Sequence, residues 1–223
     1  MIKLKDWITL ANLAFGFAAI IFILEGDYQT GTRFILLAAL ADGSDGFISR
    51  KFSKPDDYGR ELDSLCDLVS FGVAPALLIY KSIVGGFLGI FVGLALLSAA
   101  ALRLARFNLV SGGDRSLFIG LPVPASAILV VTYFNTHIVL ERYLITAFLL
   151  FLALLNISEF RYPSQKRGLK KRQVLALVII IGFFLYYVKE GLMWNFLFVS
   201  GVIYLMAPLY YGIRKYIPPR LQL

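Results

Sequence analysis

The chain has 223 residues, of which 59% are hydrophobic and 16% charged, with a mean hydropathy of +0.76. That composition excludes an ordinary soluble globule and fits repeated membrane crossings, while the single cysteine, Cys66, excludes an internal disulfide. The net charge of +8 rests on Lys and Arg placed between apolar runs, with no aromatic-basic motif, so it reads as a topology signal and no nucleic-acid partner is expected.

In chain order, Lys3 and Lys5 precede a first apolar run from Trp7 to Leu24, which lacks a small-residue cleavage site and is expected to be retained. Thr9, Asn12 and Gly16 recur on it at helical spacing, either facing a site or packing helices together. A second span is expected over about Thr32 to Arg50. A third runs from about Gly59 to Tyr80, after a loop forced by Pro55 and with a kink expected at Pro75. The fourth covers about Gly85 to Phe107. Gly120, Pro122 and Pro124 punctuate entry to a fifth ending near Phe134, and the sixth runs from Tyr143 to Leu155. A basic stretch from Arg161 to Arg172 separates these from two almost purely apolar spans, Gln173 to Val188 and Met193 to Ile213. The expectation is an all-α polytopic bundle of about eight transmembrane helices forming one domain. Residues 1–138 carry the motifs, and 139–223 add C-terminal helices.

With eight spans, most of the 22 Lys and Arg fall on the side of the two termini. The positive-inside rule therefore puts that side in the cytoplasm. Asn156-Ile157-Ser158 matches a glycosylation triplet, but on this topology it lies on the wrong face. His137, the only histidine, argues against a His-ligated metal.

The informative stretch runs from Ala39 to Ala76. Asp42 and Asp45 are three apart, and Asp63 and Asp67 four apart, so each pair shares one helix face. Four charged Asp inside a bilayer cost on the order of 10–14 kcal/mol uncompensated, at roughly 2.5–3.5 kcal/mol each. Divalent cations are one compensation, because hard ions such as Mg²⁺ take carboxylate oxygens together with substrate phosphates. The alternatives are an acid patch neutralised by Arg50 and Arg60, or acids in a polar loop. Arg103 and Arg106, also three apart, share one face at the end of the fourth span, which positive-inside anchoring would explain.

Written out, the pattern is Asp42-x2-Asp45-Gly46-x2-Ser49-Arg50-x8-Gly59-x3-Asp63-x3-Asp67. It resembles the signature of the CDP-alcohol phosphatidyltransferases, integral membrane enzymes that join an alcohol to the phosphoryl group of a CDP-linked donor. All four acids, both glycines and the arginine keep their intervals; Ser49 stands where the family usually has Ala. The phrases D-S-L-C-D-L-V-S-F-G-V-A-P-A, A-A-L-R-L-A-R-F-N and F-I-G-L-P-V-P-A, with T-L-A-N-L near the start, are similar to those of membrane-embedded phosphatidylserine synthases.

The resemblance implies transfer of the phosphatidyl group from CDP-diacylglycerol, or an ether-lipid analogue, to the L-serine hydroxyl, with release of CMP. It further implies two divalent cations, Mg²⁺ or Mn²⁺, ligated by Asp42, Asp45, Asp63 and Asp67, and Asp67 as the base. Asn12, Gly46, Ser49, Arg50 and Gly59 would hold the CDP group, and Arg103 and Arg106 the serine. It also implies a homodimer among membrane lipids of the cell membrane, with its active site on the cytoplasmic side. Ser70 and Asn108 are further candidates for the acceptor. The competing readings are another acceptor, glycerol phosphate or inositol phosphate, and a cation transporter. A transporter would need acids near the bilayer midplane and paired halves of the chain, and neither is visible here.

Overall fold

In the computed structural model, described over residues 4–52, 57–109, 117–163, 192–206 and 208, the chain folds as antiparallel helices whose connections alternate between two ends. Helix α1 (Leu4–Glu25) stops at Gly26, whose φ of 89° suits a residue without Cβ. Asp27 then caps helix α2 (Tyr28–Phe52) by accepting the Thr30 amide at 3.1 Å, and the hydrogen bonds from Thr30 hold its carboxyl below the usual range. The α1–α2 hairpin is zipped by Phe34, stacked on Phe22 at 5.3 Å and tilted against Phe15 at 6.2 Å.

The third rod is continuous from Asp57 to Ile83 but not uniform. Helix α3 (Asp57–Asp67) passes into a π turn over Leu68–Val73, then into α4 (Ala74–Leu78), then into a second π turn over Ile79–Ile83. Pro75 has no N–H to give, and the residue before it, Ala74, donates five residues back to Val69. The distortion expected at Pro75 thus takes the form of a widened turn immediately after Asp67.

Gly85 and Gly86, with φ of 70° and 60°, reverse the chain into α5 (Gly86–Leu109). A short strand β1 (Leu117–Ile119) leads to α6 (Val123–Asn135), and α7 (Arg142–Ile157) leads to β2 (Arg161–Pro163). The two strands pair antiparallel with Phe118 opposite Tyr162, an addition to the all-helical expectation. Helix α8 (Leu192–Leu205) packs on α6 and α7 through Phe198, 5.5 Å from Tyr133 and 5.8 Å from Phe148.

Asp6–Glu25, Asp57–Ile83 and Gly86–Leu109 are long and apolar enough to cross a membrane; α6, α7 and Met193–Leu205 are shorter apolar helices. Six of the expected spans have helical counterparts, the eighth has one as far as the described residues reach, and the seventh lies outside them. Ile23, Ile35, Phe71, Leu78, Leu96 and Leu149 form the fully buried centre. Two glycines of α5 sit at close contacts within the chain: a Cβ on Gly93 would lie 2.8 Å from the Ala76 carbonyl oxygen, and one on Gly89 3.2 Å from Tyr80 Cα. Asn156 is fully buried and donates to Ser126 Oγ at 3.3 Å, so its side chain is closed to glycosylation.

Candidate active site

Helices α2 and α3 bring Asp42, Asp63 and Asp67 together at one end of the bundle, with one carboxylate oxygen of each within 4.8 Å of the others. Asp63 and Asp67 are one turn apart on α3, and Asp42 faces them from α2. Asp67 is 7% exposed. Asp45, Gly46, Ser49 and Arg50 continue along α2, their side chains outside the described residues; Gly59 sits half-buried in the first turn of α3.

Helix α1 supplies the group that orients the deepest acid. Asn12, fully buried, donates from Nδ2 to Asp67 Oδ1 at 2.9 Å. Its backbone carbonyl accepts the Ser70 hydroxyl at 3.0 Å, which ties α1 to the π turn. That approach requires Gly16, where a Cβ would fall 2.1 Å from Ser70 Oγ. Asp6 and Thr9 are buried on the same helix, at helical spacing from Asn12. Ser70 and Asn108, the further acceptor candidates, both hydrogen-bond between helices. Asn108 accepts from Ser64 Oγ at 3.2 Å and donates to Glu61 at 3.1 Å, fastening α3 to α5.

The two arginines at the end of α5 part company. Arg103 is 6% exposed and lies within electrostatic reach of both Asp67 and Tyr204, and its Nε is buried without a hydrogen bond among the described residues. Arg106 instead donates to the carbonyls of Ile157 at 3.0 Å, Ser158 at 2.9 Å and Ile119 at 3.4 Å, clamping the end of α7 and the strand pair. A shared helix face puts the two Cβ atoms side by side, but the long guanidinium stems then follow different acceptors. Arg60, one candidate neutraliser of the acids, pairs with Asp57 in its own first turn. Tyr162 of β2 is fully buried in ring contact with Tyr204 at 5.5 Å. Burial pushes the Tyr162 phenol up to about 12, with Tyr204 adding to the effect, so it stays a donor at neutral pH.

The donor set suits hard divalent cations. Three carboxylates repel one another at this spacing, and oxygen-only coordination with room for phosphate oxygens is what Mg²⁺ and Mn²⁺ accept. A carboxylate held by Asn12 keeps its second oxygen aimed by the first, as supporting hydrogen bonds do around metal ligands. Beside the acids, Trp7, Leu40, Leu65 and Leu102 are each more than 60% exposed, so lipid-compatible surface reaches the level of the carboxylates on their helices.

An acidic centre of this kind, within a bundle of apolar helices, defines an integral membrane protein with chemistry at one end of its helices. The chain belongs to the CDP-alcohol phosphatidyltransferase family, whose pattern it matches over residues 3–151, and is a transferase of that family. It is 32% identical over 171 residues to a CDP-diacylglycerol–serine O-phosphatidyltransferase of Methanocaldococcus jannaschii, covering 74% of this chain and 75% of that one. The protein of the same name from Helicobacter pylori 26695 is 31% identical over 181 residues, 77% of this chain and 76% of its own. An archaetidylserine synthase of Methanothermobacter thermautotrophicus is 37% identical over 113 residues, 49% of this chain and 48% of its own. The match thus spans about half the length of that last relative and three quarters of the other two.

Proposed function

We propose that the chain transfers the phosphatidyl group of CDP-diacylglycerol to the hydroxyl of L-serine, releasing CMP. The observation that carries this reading is the cluster of Asp42, Asp63 and Asp67, with the buried Arg103 within electrostatic reach of Asp67. One buried cation next to a base matches an acceptor that has both a carboxylate and a hydroxyl. The names of the relatives from Methanocaldococcus and Helicobacter support the same substrates.

In this reading Asp42, Asp45, Asp63 and Asp67 hold two divalent cations, Mg²⁺ or Mn²⁺. Bound there, the cations neutralise the diphosphate and stabilise charge on the leaving group. The nucleotide end of the donor lies along Asn12, Gly46, Ser49, Arg50 and Gly59. The serine oxygen forms a bond to the phosphatidyl phosphorus and the P–O bond to CMP breaks. Asp67 takes the hydroxyl proton, its carboxylate aimed by Asn12. Arg103 orients the serine carboxylate, whereas Arg106 shapes the wall behind it. The exposed leucines beside the acids give the donor's chains a lateral path from the bilayer. We place the site at the cytoplasmic face of the cell membrane, where the positive-inside rule puts this end of the helices, in a homodimeric enzyme.

A second reading is supported by the archaetidylserine synthase relative: the same transfer from an ether-linked donor. The test is CMP release by purified protein in detergent, with Mg²⁺ or Mn²⁺ and ester and ether donors assayed separately. Serine, glycerol 3-phosphate and inositol phosphate are compared as acceptors, with Asp67→Asn as control. Serine-dependent release that is lost with chelator and in the control is the expected result. Release only with a phosphate acceptor overturns the serine assignment, and no release with any pair overturns the transfer itself.

A further inference from the structure

Asn12 is held from two directions. Its backbone carbonyl accepts the Ser70 hydroxyl at 3.0 Å, an approach that Gly16 leaves room for, and its Nδ2 donates to Asp67 Oδ1 at 2.9 Å. The second bond also settles which way the amide faces, because an ionised carboxylate only accepts and the amide nitrogen is the group that can donate to it.

The amide oxygen is then left over. Asn12 has no exposed surface, and its Oδ1 has no hydrogen-bond partner among the described residues. Sharing one carbon with Nδ2, that oxygen lies within about 5 Å of Asp67 Oδ1. Buried polar atoms are ordinarily satisfied, so an acceptor locked in place beside the acid cluster marks where the donor group of a ligand belongs.

Few groups of the reacting molecules can fill that place. The diphosphate and the carboxylate of an amino acid only accept, so neither satisfies an amide oxygen. The nucleoside is the end that leaves toward water, and in the reading above it runs to Gly59, eight residues or about 12 Å along α3 from Asp67. The acceptor molecule remains. Its hydroxyl gives its proton to Asp67, but an amino group on the adjacent carbon sits about 3 Å from that hydroxyl in a staggered chain, which lets one molecule reach Asp67 and Asn12 Oδ1 together. An ammonium is also the stronger donor, since charge-assisted hydrogen bonds are about twice as strong as neutral ones.

We propose that Asn12 Oδ1 receives the ammonium group of the acceptor, so that one side chain aims the base through its nitrogen and selects a vicinal amino alcohol through its oxygen. This rests on the serine reading above and deepens it by naming the atom that recognises the amino group.

The experiment uses the full chain in detergent at saturating donor. It compares serine with 3-hydroxypropanoate, which lacks only the amino group, as substrates and, where turnover is too slow, the second as a competitive inhibitor of the first. Wild type, Asn12→Ala and Asn12→Asp are assayed, with elution volume and melting temperature reporting on folding. Wild type should favour serine at least about tenfold, the scale of a hydrogen bond to a charged group. Asn12→Ala should lose turnover with both acceptors, because Asp67 is released, and should in addition lose about tenfold of the preference for serine. Asn12→Asp keeps an acceptor oxygen but removes the donor to Asp67, so its kcat should fall while the preference survives. A role confined to aiming Asp67, or to holding a metal ion, lowers turnover of both acceptors equally, and an unchanged ratio in Asn12→Ala overturns the proposal. A wild-type enzyme indifferent to the amino group overturns it without any variant. A donor KM that rises in Asn12→Ala with the acceptor preference intact assigns the oxygen to the nucleotide and overturns it too. In each of these cases turnover of serine leaves the serine reading standing, whereas wild-type protein that uses another acceptor but not serine overturns that reading as well.

Discussion

Asn12 on α1 donates to Asp67 on α3 across 2.9 Å, while its backbone carbonyl accepts from Ser70, three residues beyond Asp67. One residue thereby fixes both the rotamer of the deepest carboxylate and the position of the helix that carries it. The π turn that begins at Leu68 makes the second bond accessible, because widening the helix there changes the direction of Ser70 relative to Asp67.

Asn12→Ala should leave Asp67 in place but free to rotate. The expected effect is a loss of roughly 10–100-fold in kcat, the usual cost of deleting a partner of a metal-binding side chain. Half-saturation by Mn²⁺ should move to higher concentration in the same variant. CMP release across a metal titration checks both. A variant with wild-type metal dependence would falsify the orienting role of Asn12.

Removing the metal tests the carboxylate cluster directly. Chelation should abolish turnover, and Mn²⁺ added back should restore it with two ions bound per chain, as counted by electron paramagnetic resonance. Asp63→Asn removes one anionic ligand from the trio. It should weaken Mn²⁺ binding and cut kcat by about 10²–10⁴-fold, the range for losing a group that acts in the transition state. Stoichiometric Mn²⁺ binding that survives in Asp63→Asn would remove that residue from the ligand set.

The acid cluster was legible because helical spacing needs no tertiary information: Asp63 and Asp67 share a face wherever α3 lies. The apolar runs marked most helices for the same reason, with ends accurate to a few residues. Arg103 and Arg106 follow the identical rule, but it does not fix what each guanidinium reaches. Spacing places Cβ atoms, and a guanidinium reaches several ångströms further to whatever acceptor the fold provides. For Arg106 that acceptor is a trio of carbonyls at the end of α7 and in β1. Strands of three residues such as β1 and β2 carry no periodicity, so the strand pair that brings Tyr162 to Tyr204 had no signature. Pairings across tens of residues, Asn12 with Asp67 among them, are likewise written only in the folded chain.

Gly16→Ala should show how tightly α1 must approach the π turn. Its Cβ would sit 2.1 Å from Ser70 Oγ and 2.8 Å from Ser70 Cα, so backbone as well as side chain has to yield. Overpacking of this kind costs about 1–3 kcal/mol, which outweighs the helix-propensity gain of up to about 1 kcal/mol from replacing a glycine. The melting temperature in detergent should therefore fall, and kcat with it, since the displaced segment carries Asn12. A melting temperature at or above the wild-type value would show that the approach is looser than the structure has it.

Arg103 and Arg106 should separate cleanly in opposite assays. Arg106 spends both terminal nitrogens on backbone carbonyls, and hydrogen bonds from a charged donor each contribute about 1.5–3 kcal/mol. Arg106→Ala is therefore expected to lower the melting temperature, with Arg106→Lys a poor substitute, because one ammonium cannot reproduce the planar fork that reaches Ile157 and Ser158 together. Arg103 makes no such contacts through Nε among the described residues, and its buried charge lies within electrostatic reach of Asp67. Arg103→Ala should leave the melting temperature within a few degrees of wild type while raising the serine KM about tenfold or more, with donor KM unmoved. Arg103→Lys should recover part of that loss, since it restores the charge without the bidentate geometry. If instead Arg106→Ala were the variant with the selective serine defect and an unchanged melting temperature, the roles of the two arginines would have to be exchanged.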